Sequence, residues 1–589
     1  VFDQLEKRIR IVMDITDQSK GCDGLKKEIA SRWLPSSCKE SFSNLGSLFL
    51  RYYTSCGSGN IQYRDLTRGD FLNMTLRAAG ILADSGLREG DRFLCGFGAN
   101  DPTDMAFRLA AAITKTTPVT INWQGDTPER AAYKASLSLS KLLIADDLIS
   151  EKLVKEVTGK STNIPVLYTR DILNWQIPEV IALPENIKPD DEKIIIFTSG
   201  TTGNPKGVIL TWENYDTNAA TFRDIFPLQT GKTMDLVMTN PLHHANSSAL
   251  SDWFLREPGA VIHILPRYAT SYWEILTAIA EKSEGLVLAP CVSRHFDFLE
   301  ELDSRGQLPV DKMRLRKALG RVSFLMGSAP VGPTTVGRVT DWTGRPPIVR
   351  FGSTETCLQV LGTPAGLECQ VVMDSFKAGW QRTPSPGYYI GRPHLPHTEA
   401  RVVKSVTPDE PGFMETCLPG EDGYLIARGK NLMKGYLGNP GATSEVLYEG
   451  WYLGFGDICF FLENSYDGER DFYWLGRESG LLIKGGANYS CEQVAAELSS
   501  FISERYVLEA GSFDLAVIGL HLDSEHEDTC CVTIDDSGLD SETRQRIRDT
   551  FLDEARGSVS KGARPGRVDF GPIPRTRSEE HTSELQSRS

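Results

Sequence analysis

The chain has 589 residues, 40% hydrophobic and 24% charged, with a formal charge of −15. That length exceeds a single hydrophobic core and gives two or three domains, and the composition is that of a globular protein. An acidic balance without a block of Lys and Arg argues against a nucleic-acid partner, which would need a clustered basic surface. No apolar run approaches the ~20 residues of a membrane-spanning helix, so no integral membrane segment is expected. The twelve cysteines show no zinc-type C-x-x-C pair and predict reduced thiols in a cytoplasmic setting. Because the chain begins at Val1, a peroxisomal or other organellar address stays open.

Residues 44–147 read as helical segments broken by short apolar runs. Residues 66–85 carry apolar side chains at helical spacing, and residues 86–91 (GLREGD) form a turn before a strand at 92–98. The alternation sharpens from residue 193. Strands are predicted at 193–197, 236–238, 261–265, 286–289, 322–326 and 348–351, with helices such as 272–282 and 291–302 between them. Strand, helix, strand at this spacing implies an α/β fold with mostly parallel sheets covered on both faces. After Gly412 come short strands and Gly-rich turns. Beyond Arg477 lies a smaller α+β unit, with helices at 492–502 and 542–554 and strands at 515–520 and 529–534.

The strongest chemical signal follows the strand at 194–197. The string TSGTTGNPKG holds Thr198, Ser199, Gly200, Thr201, Thr202, Gly203, Lys206 and Gly207. Gly200 and Gly203 lack a Cβ, so the backbone can bring its N–H groups close to an anion. The hydroxyls add donors and Lys206 a positive charge, which together make a phosphate cradle. It is not a Walker loop, because the Lys stands between Pro205 and Gly207 instead of in G-K-[ST].

This string resembles the phosphate-loop signature of the adenylate-forming (AMP-binding) superfamily, which includes acyl-CoA synthetases, peptide-synthetase adenylation domains and beetle-type luciferases. Other family motifs follow in order. Gly327, Ser328, Ala329 and Pro330 resemble the adenine-edge loop. Phe351, Gly352, Ser353, Thr354 and Glu355 resemble the aromatic-G-x-T-E motif, whose ring lies against adenine, whose Thr meets the α-phosphate and whose Glu helps hold Mg²⁺. A hard cation of that kind takes one or two carboxylates beside phosphates and waters. The stretch GYLIARGKNLMKGYLGNP from Gly423 resembles the family's G-E-I-x-V-R-G segment, with Tyr424 in place of its usual Glu.

Asp457 ends GWYLGFGD, similar to the family's G-W-x-x-T-G-D but one residue longer and without the Thr. The resemblance gives its carboxylate the ribose hydroxyls, and an acceptor-only group suits a diol. Arg477 matches a second ribose contact, Ser479 the hinge position, and Gly485 and Gly486 the channel for the pantetheine arm of CoA. Gln493 replaces a common Glu. Pro241-Leu242-His243-His244 resembles P-L-F-H and places His244 at the carboxylate and acyl pocket.

The resemblance implies a large N-terminal adenylation core at 1–476, built of doubly wound sheets with a distorted β-barrel segment. It also implies a small mobile α+β lid at 477–576. The implied reaction uses ATP, Mg²⁺ and CoA: a carboxylic acid is activated to acyl-AMP with release of pyrophosphate, then joined to CoA. Lys206, His244, Thr354 and Glu355 are the expected catalytic residues. Ser353, where acetyl-CoA synthetases carry Trp, predicts a medium- to long-chain or aromatic acyl group. An acyl-carrier protein as acceptor, a luciferase-like oxidation and a catalytically silent nucleotide-binding homologue share these motifs and stay open. Residues 577–586 (RSEEHTSELQ) are one reading frame of a sequencing-library adapter, so residues 577–589 are expected to be a scar. The family's P-R-T-x-x-G-K would then be cut before its adenylation Lys.

Overall fold

The computed structural model describes residues 43–57, 60–159, 163–170, 187–198, 205–227, 232–383, 386–477, 481–484, 487–508, 512–522, 524 and 527–573. Contacts divide the chain into two compact units, one holding residues up to 198 with 205–476, the other holding residues from 477 onward. Among the described residues no helix is long and apolar enough to cross a membrane.

The first unit is built on two sheets. The smaller has seven strands, and its interior is parallel: Arg92–Gly96 pairs with Thr117–Thr120 and with Leu143–Ala145, and Val119 pairs with Ile195 of Glu192–Thr198. Its other end is antiparallel, where Glu192–Thr198 meets Lys206–Thr211, which in turn meets Gly435–Tyr436. The larger sheet has fifteen strands. Ile348–Phe351, Val322–Met326, Leu286–Cys291, Met234–Met238, Ala260–Ile264 and Leu48–Gly57 lie side by side and parallel. Helices cover their apolar side chains, which join Trp253, Trp273, Phe296 and Phe324 in the core. Beyond Ile348–Phe351 the sheet continues antiparallel through Leu361–Gly362, Tyr388–Pro393 and Arg470–Arg477 to the short strands around Gly423–Gly429.

The second unit packs helices Cys491–Tyr506 and Ser541–Ser558 on the strands Asp514–Leu520, Thr529–Asp535 and Arg567–Phe570. Leu498, Ile502, Val532, Ile547 and Phe551 form its core. Asp528 ties in the hairpin that begins at Leu481, its carboxylate accepting from Ile483 N at 2.6 Å.

Several predicted boundaries move for identifiable reasons. The helix expected from residue 66 starts at Arg68, because Thr67 accepts from Asp70 N in a capping box. The helix expected from residue 291 starts at Ser293, since Cys291 is the last residue of a strand. The hairpin Leu48–Gly57 with Asn60–Thr67 was not predicted: its second strand is mostly exposed and polar, so no apolar alternation marks it. The strand Lys206–Thr211 was not predicted either.

Two buried side chains fix the helix Ala245–Arg256, which begins just after His244. At its near end Asn100 donates through Nδ2 to the carbonyls of Thr239, Asn240 and Leu265 and accepts from Leu242 N at 2.8 Å. At its far end the Arg68 guanidinium donates to the carbonyls of Leu255, Glu257 and Ala260 at 3.2, 2.7 and 3.2 Å. Helix C-termini leave carbonyls without intrahelical partners, and a buried one needs a donor from elsewhere. Arg68→Met is therefore expected to destabilise the first unit by about 3 kcal/mol, read as a lower urea midpoint.

Candidate active site

Three loops leave the carboxyl ends of parallel strands in the larger sheet, the edge at which open α/β sheets bind ligands. Residues 327–330 follow Val322–Met326, the turn at 352–358 follows Ile348–Phe351, and residues 239–244 follow Met234–Met238. The first two are neighbours, since Leu325 pairs with Ile348 and Met326 with Val349. They are so close that a Cβ on Gly327 would stand 2.7 Å from Arg350 O. Ser328 follows in left-handed backbone, φ 68°.

The turn after Phe351 is tight. A Cβ on Gly352 would lie 2.3 Å from Leu358 O, so only glycine fits. Ser353 N donates to Thr356 Oγ1 at 2.8 Å, and Cys357 N to Thr354 O at 3.0 Å. Cys357 and Leu358 both take positive φ, 47° and 95°. Asn431 Nδ2 donates to the carbonyls of Thr356 and Gln359, and Asn218 Nδ2 to that of Cys357. Non-glycine residues persist in such backbone only where their surroundings over-determine it.

Glu355 is thereby presented as a buried carboxylate, 8% exposed, with Oε1 accepting from Tyr436 Oη at 3.0 Å. Burial, then the carboxylate, pushes the Tyr436 phenol well above its ordinary value, so it stays a donor. The Tyr436 ring also lies 5.0 Å from Lys206 Nζ. Lys206 is the first residue of its strand and pairs with Thr198. Lys206, Tyr436 and Glu355 thus converge from three distant segments. Of the cradle residues, Ser199, Gly200, Thr201, Thr202 and Gly203 lie outside the described residues, as do Ser479, Gly485 and Gly486. Arg477 ends its strand at the unit boundary.

Asp457 opens the strand Asp457–Glu463 and is 1% exposed, with Oδ1 accepting from Trp474 Nε1 at 2.7 Å. The lengthened GWYLGFGD segment sets the Phe455 ring 6.1 Å from that of Phe351 and 4.8 Å from that of Tyr452. His244 caps its helix without a side-chain cap bond, its ring 4.3 Å from that of His243. Burial, reinforced by Lys134, pulls His244 down to about 4, and burial pulls His243 well below its ordinary value. Lys134 is itself buried and paired with Asp126 at 2.5 Å.

A family model for AMP-binding enzymes matches residues 54–437. The chain belongs to the AMP-binding enzyme family. It is similar to a 2-succinylbenzoate–CoA ligase of Bacillus licheniformis, 27% identical over 74% of this chain and 78% of the relative. It is also similar to a feruloyl-CoA synthase of an Amycolatopsis species, 25% identical over 74% and 78%. In fold it resembles o-succinylbenzoate CoA synthetase of Bacillus subtilis, with a TM-score of 0.70 at 19% identity, covering 92% of this chain and 96% of that one.

In this AMP-binding enzyme the sequence reading singled out Lys206, Phe351, Glu355 and Asp457 but missed their supports. Tyr436 and Asn431 lie in the matched stretch from Gly423 but act on residues 81 and 75 positions away, and Trp474 lies in no motif. Among the described residues no group of three or more His, Cys, Asp or Glu could hold a metal ion. The Glu355 carboxylate, with one oxygen engaged by Tyr436, fits a Mg²⁺ that takes its other ligands from phosphates and water.

The histidine pair gives a pH test. Folding holds His244 neutral, so between its ordinary 6.5 and about 4 the unfolded chain binds a proton that the folded chain does not. Stability should therefore fall as pH drops through that window, and His244→Asn should flatten part of the loss. Urea midpoints at pH 7 and pH 5 check it.

Proposed function

We propose that this chain activates a carboxylic acid with ATP, releasing pyrophosphate and forming an acyl-adenylate, and then passes the acyl group to the thiol of CoA. The observation that carries the reading is the convergence of Lys206, Tyr436 and Glu355, with Lys206 paired to Thr198 across its strand. The two CoA-ligase relatives support it, and the acids in both their names carry an aromatic ring. That favours an aromatic acid over a fatty acid here.

A carboxylic acid is already ionised at pH 7, so the first half-reaction needs no general base. Its demand is for positive charge and aligned donors around the phosphorus under attack. In this reading Lys206 and the loop at Thr198 bind the departing pyrophosphate, and Thr354 orients the α-phosphate. Tyr436 holds Glu355 in place, and a Mg²⁺ at Glu355 would offset phosphate charge. Phe351, with residues 327–330, flanks the adenine, and Asp457 and Arg477 take the ribose. His244, neutral through the working range, lines the acid's carboxylate end without competing as a cation for the phosphates. The unit after Ser479 serves as a lid whose motion separates the two half-reactions, with Gly485 and Gly486 along the thiol's path.

Lys206→Ala should lower acid-dependent pyrophosphate release by about 100-fold while leaving the unfolding midpoint unchanged, because a loop-edge cation serves charge and not packing. Turnover near wild type would overturn the assignment. AMP release measured with and without free CoA separates a CoA acceptor from a carrier-protein acceptor.

A further inference from the structure

The strand Ile348–Phe351 places a charge inside the molecule. Val349 packs into the core on one face of the sheet, and Arg350, one residue on, faces the other way. Arg350 is 7% exposed. Its Nη2 donates to Asn246 Oδ1 at 3.1 Å, while Nε and Nη1 have no hydrogen-bond partner. Burial holds this guanidinium down at about 10, still charged at neutral pH, with the Cys291 thiol the one ionisable group acting to raise it. Among the described residues no carboxylate pairs with it.

A second polar group shares this face. Arg350 stands directly opposite Gly362 in the antiparallel pairing, so their Cβ directions coincide. The His394 ring fills the space above Gly362, with Cε1 and Nε2 only 3.0 and 3.2 Å from where a Cβ would stand. His394 is 9% exposed, and its Nε2 also has no partner. Two buried nitrogen-rich side chains with unmet hydrogen-bonding capacity thus lie on one face of one strand pair. Proteins seldom leave such groups unpaired, because each forfeits its hydration for nothing.

Their position says what would pair them. Arg350 immediately precedes Phe351 and Glu355's turn, one residue deeper into the sheet than the nucleotide motif. Asn246, its partner, lies two residues beyond His244, one step into the helix that His244 caps. Both therefore adjoin, along the chain, residues assigned above to the nucleotide and to the acid's reacting end. A guanidinium presents five N–H donors, and Asn246 takes one; two N–H groups on neighbouring nitrogens match the two oxygens of a carboxylate. An arriving carboxylate would also favour a protonated His394, whose Nε2 would then donate.

We propose that Arg350, positioned by Asn246 and flanked by His394, forms an anion-recognising floor of the acyl pocket, and that the acid taken by this chain carries a second carboxylate at its far end. The inference rests on the acid-activating reading above and narrows its substrate class to dicarboxylic acids.

Equilibrium binding tests it without turnover. Calorimetry with saturating AMP would compare adipate with hexanoate and 4-carboxycinnamate with 4-methylcinnamate. The diacid should bind at least tenfold tighter in one pair or both; Arg350→Met should abolish that preference and Arg350→Lys keep part of it. Should the Met variant fail to fold, as its unfolding midpoint would reveal, Arg350→Gln makes the same comparison. Equal or tighter binding of the monoacid in both pairs, or no binding of either diacid, overturns the proposal. So does a preference that survives loss of the guanidinium. An equal loss for both members of a pair also overturns it, because Arg350 would then serve the reacting carboxylate. Pyrophosphate release is scored separately: Arg350-dependent diacid binding with no pyrophosphate from any acid would overturn the activation reading and not this one.

Discussion

The loops at the carboxyl edge of the larger sheet are irregular backbone held away from water, and their amide and carbonyl groups find no partners in a helix or strand ladder. Four buried asparagines supply them. Asn100 gathers the carbonyls of Thr239, Asn240 and Leu265. Asn214 caps its own helix through Oδ1 and reaches the carbonyls of Lys430 and Leu432 at 2.8 and 2.7 Å through Nδ2. Asn431 takes those of Thr356 and Gln359, and Asn218 that of Cys357. An amide is suited to this work because it offers two donors and one acceptor and carries no charge to desolvate. Without these bonds the turns that present His244, Thr354 and Glu355 would each leave carbonyls buried and unmet, at about 1–3 kcal/mol apiece.

The same bonds join the two sheets. Residues 430–436 run from the antiparallel end of the larger sheet to the edge of the smaller one, where Tyr436 pairs with Val208. On that path Asn431 grips the turn after Phe351, Asn214 grips residues 430 and 432, and Tyr436 reaches Glu355. Lys206 and Glu355 come from different sheets, and this segment sets their spacing. Its sequence match to the family therefore reflects a mechanical task as much as a chemical one.

What was legible in the sequence was what is local. The parallel strands are apolar runs of the right length, so the α/β class and most of the parallel strands of the larger sheet could be read directly. The cradle string and the turn at Phe351 carry their chemistry within ten residues. The supports are non-local: Tyr436 meets Glu355 81 positions away, and Asn431 meets Thr356 75 away. Arg350 reads in sequence as a charge interrupting a strand, and only pairing with Gly362 places it on the same face as His394. The hairpin at Leu48–Gly57 escaped for the converse reason, because its exposed polar strand takes its order from a partner and not from its own pattern.

The distribution of charge around the site follows from burial. The chain as a whole is acidic, at −15, and beside the two buried carboxylates Glu355 and Asp457 the candidate site holds cationic and neutral groups. Lys206 stands at the phosphate end and Arg350 at the inner end, while His243, His244 and His394 are all held neutral by desolvation. With the histidines neutral, the proposed reaction draws on Lys206 and Arg350 for positive charge, each matched to a different anionic part of the substrates. In a low-dielectric interior such separated charges orient a ligand more strongly than they would in water. A ligand with negative charge at one end only would satisfy one of them and leave the other buried and unpaired, so the arrangement discriminates by what it leaves unmet as well as by what it binds.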